Sequence, residues 1–465
     1  MRPVTIIKLL ILIFTVSLAA GCATVSLPEK DLKERLEYNE SVQNRYRLDP
    51  QWWKIYNDPR LDRLVDQALR NNIDLAKAAI SVNRALYQAR LIGADLVPSF
   101  SGSLDGSASR NISEHVNSNV SVGGDLRISY ELDLWQKVAD SVSASKWEYQ
   151  ATLEDREAAR LALIGSVVDS YYNLAYLNDA IIATEDSIKN YRSIAEKIRV
   201  KYDVGKVASV EVAQAQQSLL SAENNLSDLL TQRKNVEQTL RDLLNLKPTE
   251  PLDLGGITLI GFELPGVDLN VPLSVLANRP DLKAAEFRIQ KAFKNVSEAE
   301  KAWLPSITLS SALGSSGANL GSAFDNPVAS GAVSISLPFL DWNRVRWNLR
   351  ISEADFETTR LDFEQALTTA LNEVDTWYYT YRQARTSLTN TEKKYVYDLK
   401  ISSYYRDRYT SGAGELSDWL GALNTANSSR LSMLNSRYQT VNYENMIYKA
   451  MAGRYVDRAD IGEYI

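Results

Sequence analysis

The sequence predicts a membrane protein of mixed α and β class, in which several chains pool four strands each into a β-barrel continuous with a long α-helical barrel. Two observations carry this reading. The chain is written twice at a shift of 207 residues, and each copy holds an amphipathic strand pair followed by a very long helix. Past residue 20, no uninterrupted apolar run reaches the roughly 18 residues that a spanning helix needs, so the chain is not a helical multi-span membrane protein.

Composition narrows the functional classes. The chain has 465 residues, 45% hydrophobic and 24% charged, enough for two or three domains and a large core. A net charge of -6 argues against nucleic acid as a partner. One Cys and one His exclude a disulfide framework, a thiolate zinc cluster and HExxH, and no Gly-rich phosphate loop or nucleophile elbow is present. No cofactor, metal site or catalytic group is expected.

At the start, Arg2 and Lys8 precede the apolar stretch 9–18, then Ala19-Ala20-Gly21-Cys22. This is a signal segment, 1–21, too short to span. Small residues before the only Cys resemble the bacterial lipobox, in which cleavage precedes Cys22 and its thiol takes a diacylglycerol. Ala19 stands where that pattern more often has Leu. Ala23, rather than Asp, follows, so the resemblance implies the outer membrane of a Gram-negative cell. Residues 22–50, charged and ending at Pro50, form a tether.

The first copy spans 51–246 and the second 273–455, with a connector at 247–272 and a tail at 456–465. Matched pairs run without a gap: Asp74/Asp281, Pro98/Pro305, Trp135/Trp342, Tyr171/Tyr378, Tyr202/Tyr409 and Gly205/Gly412. The connector carries Pro248, Pro251, Pro265, Pro272 and Gly255-Gly256, which permits at most short strands. Each copy reads helix, strand, loop, strand, long helix, tight turn, helix. The hairpins fall at 98–132 and 305–340. Phe100, Gly102, Leu104, Gly106 and Ala108 alternate with Ser and Asp, and Val120, Val122, Leu126, Ile128, Tyr130 and Leu132 share one face. In the second copy, Ile307, Leu309 and Leu313 and then Val333, Ile335, Leu337 and Phe339 repeat the pattern.

Residues 137–203 lack Pro and contain one Gly, Gly165, so they form a helix of roughly 100 Å. Val167, Leu174, Ile181, Ile188, Ala195 and Tyr202 recur every seven residues, with Tyr171, Leu177, Tyr191 and Ile198 on the alternate seam, as in a coiled coil. Gly205 and Gly412 end the long helices, and the chain doubles back through 211–246 and 415–452.

Four strands of about ten residues match transmembrane β-strands, but four cannot close, and open edges in lipid leave backbone groups unpaired. The chain must therefore oligomerise; two, three or four copies give eight, twelve or sixteen strands. An antiparallel sheet resting on a soluble core is the competing reading of the same alternation.

Trp52-Trp53-Lys54-Ile55-Tyr56-Asn57-Asp58-Pro59, Arg279-Pro280-Asp281-Leu282, Trp303-Leu304-Pro305-Ser306-Ile307, Leu337-Pro338-Phe339 and Arg408-Tyr409-Thr410-Ser411-Gly412 together resemble the TolC-like outer membrane efflux proteins. The lipobox points to the nodulation-type lipoprotein subgroup. The resemblance covers nearly everything beyond residue 50. It implies a homotrimer with a twelve-stranded barrel, outer-membrane lipid around it, and an α-helical barrel crossing much of the periplasm. It also implies docking to a periplasmic adaptor and an inner-membrane transporter of the resistance-nodulation-division type. The expected function is the passive exit duct of a tripartite efflux pump. A type I protein secretion duct is an alternative, as, further off, is a periplasmic adaptor lipoprotein, whose single hairpin does not fit the duplication.

Control of such a duct belongs at the helical end. Glu211 follows Gly205 by six residues, as Asp418 follows Gly412, with Glu415 between. Facing the axis, these acids form rings that attract cations; otherwise they are favourable charges at helix starts. By resemblance, Asp418 is an aperture residue and Tyr409 ties the second helix pair to its neighbour. Gly421 stands where the family commonly has Asp, and Gly414 offers no basic gate contact. The turns around Val204, Gly205 and Lys206 and around Ser411, Gly412 and Ala413 are the expected adaptor contacts. Residues 377–381 read as wall packing and His115 as a solvated loop residue. Met433, Met446 and Met451 form no evident soft-metal site, so the substrate stays open.

Overall fold

The computed structural model describes residues 46–110, 119–252, 254, 256–268, 276, 278–319 and 321–457. Cys22, the signal segment, the tether up to residue 45, His115, part of the connector and the end of the tail lie outside them. The chain divides into two units. The smaller, 1–47 with 455–465, holds most of a two-stranded sheet of β1 (Tyr46–Asp49) and β6 (Arg454–Asp457). The larger, 48–454, contains everything described below.

In the larger unit, α1 (Pro59–Asn71) and α2 (Ile73–Gly93) lead to β2 (Ser99–Ser109), β3 (Asn119–Leu132), α3 (Lys137–Asp203) and α4 (Ser209–Leu244). The second copy follows as α5 (Pro280–Lys301), β4 (Ser306–Gly317), β5 (Val328–Ser336), α6 (Trp342–Thr410) and α7 (Leu416–Ala450). Local chemistry sets these ends. Asp58 accepts from the amides of Arg60 and Leu61 ahead of Pro59, Asn72 caps α2 at the Leu75 amide, and Asp133 accepts from Val138 and Ala139 to start α3.

Both long helices stop in the same way. Gly205 and Gly412 adopt φ of 71° and 77°, a left-handed conformation that a side chain resists. The Lys206 amide then reaches Lys201 O at 2.8 Å, and the Ala413 amide reaches Arg408 O at 2.9 Å, closing matching Schellman turns 207 residues apart.

The strands form one antiparallel sheet in the order β2-β3-β4-β5. Phe100 faces Ile128, Leu126 faces Leu313, and Ile307 faces Ile335. Because the side-chain period is two, these pairings gather the apolar residues on one face and Ser99, Ser101, Ser103, Arg127, Ser129, Ser310 and Ser334 on the other. Leu337 and Phe339 do not extend β5 as their alternation suggested. Pro338 cannot donate to the ladder, and Pro338–Asp341 turns into a 3-10 helix.

The core is a belt around the middle of α3. It joins Trp52, Trp53 and Tyr56 to Leu61 and Val65 of α1, Ile164 to Ala175 of α3, Leu240 and Leu244 of α4, and Val441 and Tyr448 of α7. The connector takes part. Leu254, Ile257 and Leu259 are buried there, and Asp179 accepts from the Leu259 amide at 2.8 Å. Its described residues include no strand; they form an irregular chain with turns at Gly256 and Gly261, packed on α3. Along α3 the heptad seam is buried from Val167 to Ile198 save for half-buried Ala195, then opens at Tyr202, which is 40% exposed.

The two long helices differ sharply in cover. Twenty-six residues of α3 are buried against seven of α6, although the helices have 67 and 69 residues. α3 is the interior helix of the chain; α6 is an edge.

Candidate functional site

Two regions, at opposite ends of α3, have the features of a conduit. At one end the sheet has no core on either face. Leu104 is 83% exposed, and Phe100, Leu126, Leu313, Val333 and Ile335 are exposed beside it on the apolar face. The opposite face is hydroxyl-rich, with Ser103 donating to Asp125 at 2.5 Å and Arg127 lying 3.6 Å from the same carboxylate. A sheet on a soluble core would bury one face, so that reading does not hold here. β2 and β5 are the two edges.

Just beyond the sheet, α5 wedges between α3 and α6. Trp135 Nε1 donates to Pro305 O at 2.7 Å, Lys291 pairs with Glu148 at 2.9 Å, and Trp147 stacks on Phe287. Asp140 is buried yet held below the usual carboxylate range. Burial opposes ionisation, but Lys301, Ser297 and Lys294 all donate to it and more than offset that cost.

At the far end, about 100 Å away along α3, the two helical turns meet. Ile188, Tyr191, Ile194 and Ile198 of α3, Ala215 and Leu219 of α4, and Leu416 and Leu420 of α7 form one apolar cluster, with Val207, Tyr409 and Trp419 against it. Tyr409 stacks on Trp419 with centroids 5.5 Å apart. Lys201 Nζ sits 4.5 Å from the Tyr409 ring centroid and donates to its hydroxyl at 3.2 Å. Thus Tyr409 ties α6 to α3 of its own chain.

Val204, Gly205, Lys206, Ser411, Gly412 and Ala413 are all exposed on the two turns. Glu415 is the exposed N-cap residue of α7 and Asp418 lies exposed in its first turn, while Glu211 is half-buried in the first turn of α4. Glu211 and Asp418 occupy the same repeat position. The apolar cluster therefore brings the two turns together, with the three acids at the starts of two different helices. Gly414 packs against the Arg408 Cβ, where an added Cβ would sit 3.1 Å away. Residues 377–381 behave as wall packing: Tyr381 is buried and Trp377 stacks on Tyr443, although Tyr379 is exposed.

Sequence reasoning passed over Lys201. The signal was present, since Lys201 and Arg408 are basic residues at one repeat position. It also passed over the polar node above the tip, where Tyr191 bonds Asn424 and accepts from Asn427. That node lines a cavity of about 600 Å³ between α3, α4 and α7. Among the described residues, no group of His, Cys, Asp or Glu could hold a metal ion, and no helix is long and apolar enough to cross a membrane.

The model of the outer membrane efflux protein family matches residues 64–246 and again 271–453, two stretches offset by the same 207 residues. The toxin and drug export protein A of Aggregatibacter actinomycetemcomitans is 48% identical over 97% of this chain and 99% of its own. A probable outer membrane lipoprotein, SilC of Salmonella typhimurium, is 26% identical over 96% and 99%. Among solved structures, the open state of the MtrE outer membrane channel of Neisseria gonorrhoeae superposes with a TM-score of 0.77 at 25% identity, covering 88% of this chain and 91% of that one. The chain belongs to the outer membrane efflux protein family. It is an outer-membrane efflux channel component of a Gram-negative cell, reaching into the periplasm.

Proposed function

We propose that this outer membrane efflux protein acts as a homotrimer, a passive duct anchored through lipid on Cys22 and fed through a periplasmic adaptor by an inner-membrane transporter of the resistance-nodulation-division type. The observation that carries the reading is the sheet: apolar outside, hydroxylated inside, bare on both faces and open at both edges. Lipid satisfies the first face and a wet lumen the second, but only another chain can satisfy the edges.

The repeat says how that chain would fit. Within one chain the junction between copies is β3 on β4 and α3 on α5. Shifting each partner by 207 residues turns it into β5 on the next chain's β2 and α6 on the next chain's α2. Chemistry favourable to that junction is in place. Lys291–Glu148 maps to Arg84 with Asp355, Trp135 to Pro305 maps to Trp342 with Pro98, and Lys201–Tyr409 maps to Arg408 with Tyr202. α2 also leaves Ile73, Ile80, Tyr87 and Leu91 exposed, and α6 leaves Trp347, Ile351 and Leu361 exposed. Such stripes ask for a cover. Three chains give twelve strands, the closure that the family resemblance implies.

At the tip, Asp418, with Glu211 and Glu415, would line the aperture in rings, and the turns at Val204–Lys206 and Ser411–Ala413 would meet the adaptor. Small toxic compounds are the proposed cargo. A polypeptide cargo is the second reading, favoured by the name of the Aggregatibacter relative, which cites both toxin and drug. Deleting the gene should raise intracellular dye and drug accumulation. Restoration by the wild-type protein and failure by Cys22→Ala would support a lipid-anchored duct; unchanged accumulation together with lost export of a polypeptide would favour the second reading.

A further inference from the structure

The belt contains one buried acid with no role in the duct. Glu444 of α7 is fully buried, and no side chain hydrogen-bonds either carboxyl oxygen. The other fully buried polar side chains of α7 are provided for. Ser429 bonds Asp398, Thr440 bonds Ser436 O, and Asn445 accepts from Trp52 Nε1 at 3.1 Å while donating to Gly165 O at 2.9 Å.

The repeat offers an internal comparison. The counterpart of Glu444 in the first copy is Glu237, which accepts from Arg241 at 2.9 Å and pairs with Lys234 at 3.4 Å. Those two cations hold Glu237 below the usual carboxylate range against the opposing effect of burial. In the second copy their positions are Tyr448 and Val441, both buried. One acid keeps its charge partners; its twin has lost both and lies deeper.

What surrounds Glu444 is phenolic. Tyr56 reaches it from the WWKIY turn, Tyr172 from α3, Tyr381 from α6 and Tyr448 from the next turn of α7. The hydroxyls of Tyr56 and Tyr172 lack hydrogen-bond partners, and Tyr448 donates to Gly266 O at 3.1 Å. The nearby charges are Arg385 of α6 and Arg454 beyond α7, which act through space without an ion pair, and the connector presents the Gly266 amide. None of these hydroxyls bonds the carboxyl. A neutral carboxyl is tolerated there at far lower cost than a carboxylate, which carries a poorly compensated charge in an apolar belt.

We propose that Glu444 is a proton-binding latch: protonated, it lets the Trp52–Tyr56 turn and the connector close on α7, and its ionisation loosens that grip. Burial pushes the carboxyl up to about 7, with the Gly266 amide, Arg385 and Arg454 partly opposing, so the change falls in a range that the periplasm experiences.

Hydrogen exchange of the full-length oligomer in detergent, corrected for the intrinsic amide rate, tests this from pH 5.5 to 8. A carboxyl at about 7 in the closed belt and near its ordinary 4.5 when open gives a loss of protection of roughly thirtyfold over that range. The loss should fall on residues 438–452, 52–56 and 256–268 and spare the tip at 188–198. Glu444→Gln should flatten the profile. A flat wild-type profile, or an equal loss in Glu444→Gln, overturns the proposal. If the variant does not assemble, the wild-type map decides: loss confined to those segments supports the latch, and uniform loss or none overturns it.

Discussion

The inter-chain strand register can be worked out residue by residue. Facing partners between β3 and β4 have numbers that sum to 439, as in Leu126 with Leu313. Exchanging each by 207 leaves the sum unchanged, so β5 residue 335 should face residue 104 of the next chain. The perturbation is the double variant Leu104→Cys/Ile335→Cys. Both positions lie on the apolar face, as the register demands. Facing Cβ atoms across antiparallel strands are about 4.5–5.5 Å apart, close to the roughly 3.5–4.5 Å of a disulfide. Within one chain, the two sites lie on opposite edges, three strand spacings of about 4.8 Å apart and displaced by eight residues along the strands, which no disulfide spans. The control Leu104→Cys/Val333→Cys is displaced by two residues, about 7 Å along the strand. After mild oxidation, non-reducing electrophoresis should show Leu104→Cys/Ile335→Cys as a ladder ending at three chains, with little product from the control. Equal cross-linking of the control would refute the register, and monomer alone would refute ring closure.

Further predictions follow from the belt and the tip. Asn445→Ala removes the buried amide that accepts from Trp52 Nε1 and donates to Gly165 O, and should cost about 2–4 kcal/mol, read as a lower thermal midpoint of the solubilised oligomer. Glu444 has a folded value of about 7, above its unfolded 4.5, so its destabilising effect is absent below pH 4.5, grows as pH rises to 7 and then levels at up to about 3 kcal/mol. Glu444→Gln should accordingly raise the midpoint at pH 8 and leave it nearly unchanged at pH 4.5; an equal effect at both would contradict that assignment. Tyr409→Ala removes the Trp419 stack and the Lys201 contact, and should make residues 404–420 more susceptible to limited proteolysis while sparing the belt.

How much of this was legible in the sequence varied with the physics. Alternation and the unbroken repeat placed both hairpins, and the absence of proline across 137–203 placed α3 to the residue. Pro338 was visible, yet the alternation through Leu337 and Phe339 continued past it, and the missing donor decided the end of β5. The irregular backbone of the connector was legible, but Pro and Gly do not reveal that Leu254, Ile257 and Leu259 are buried. At the tip, the glycine turns and the acids could be read from spacing; Lys201 and Arg408 stand out as basic at one repeat position, but the contact of Lys201 with Tyr409 forms only when α6 and α3 meet after the two halves fold together. Glu444 was hidden for a related reason: its environment is made by Tyr56, Tyr172 and Tyr381, which come from three distant segments.

The central claim is that several copies make one conduit whose aperture lies at its helical end. Single-channel recording of the purified oligomer in planar bilayers, for the wild type and for Leu416→Ser/Leu420→Ser with and without Asp418→Ala, tests it most directly. Leu416 and Leu420 are buried in the tip cluster, so loosening it should raise the cation-preferring current, and Asp418→Ala should weaken the preference for cations. An inserted oligomer that passes no current in any of these forms would contradict the account.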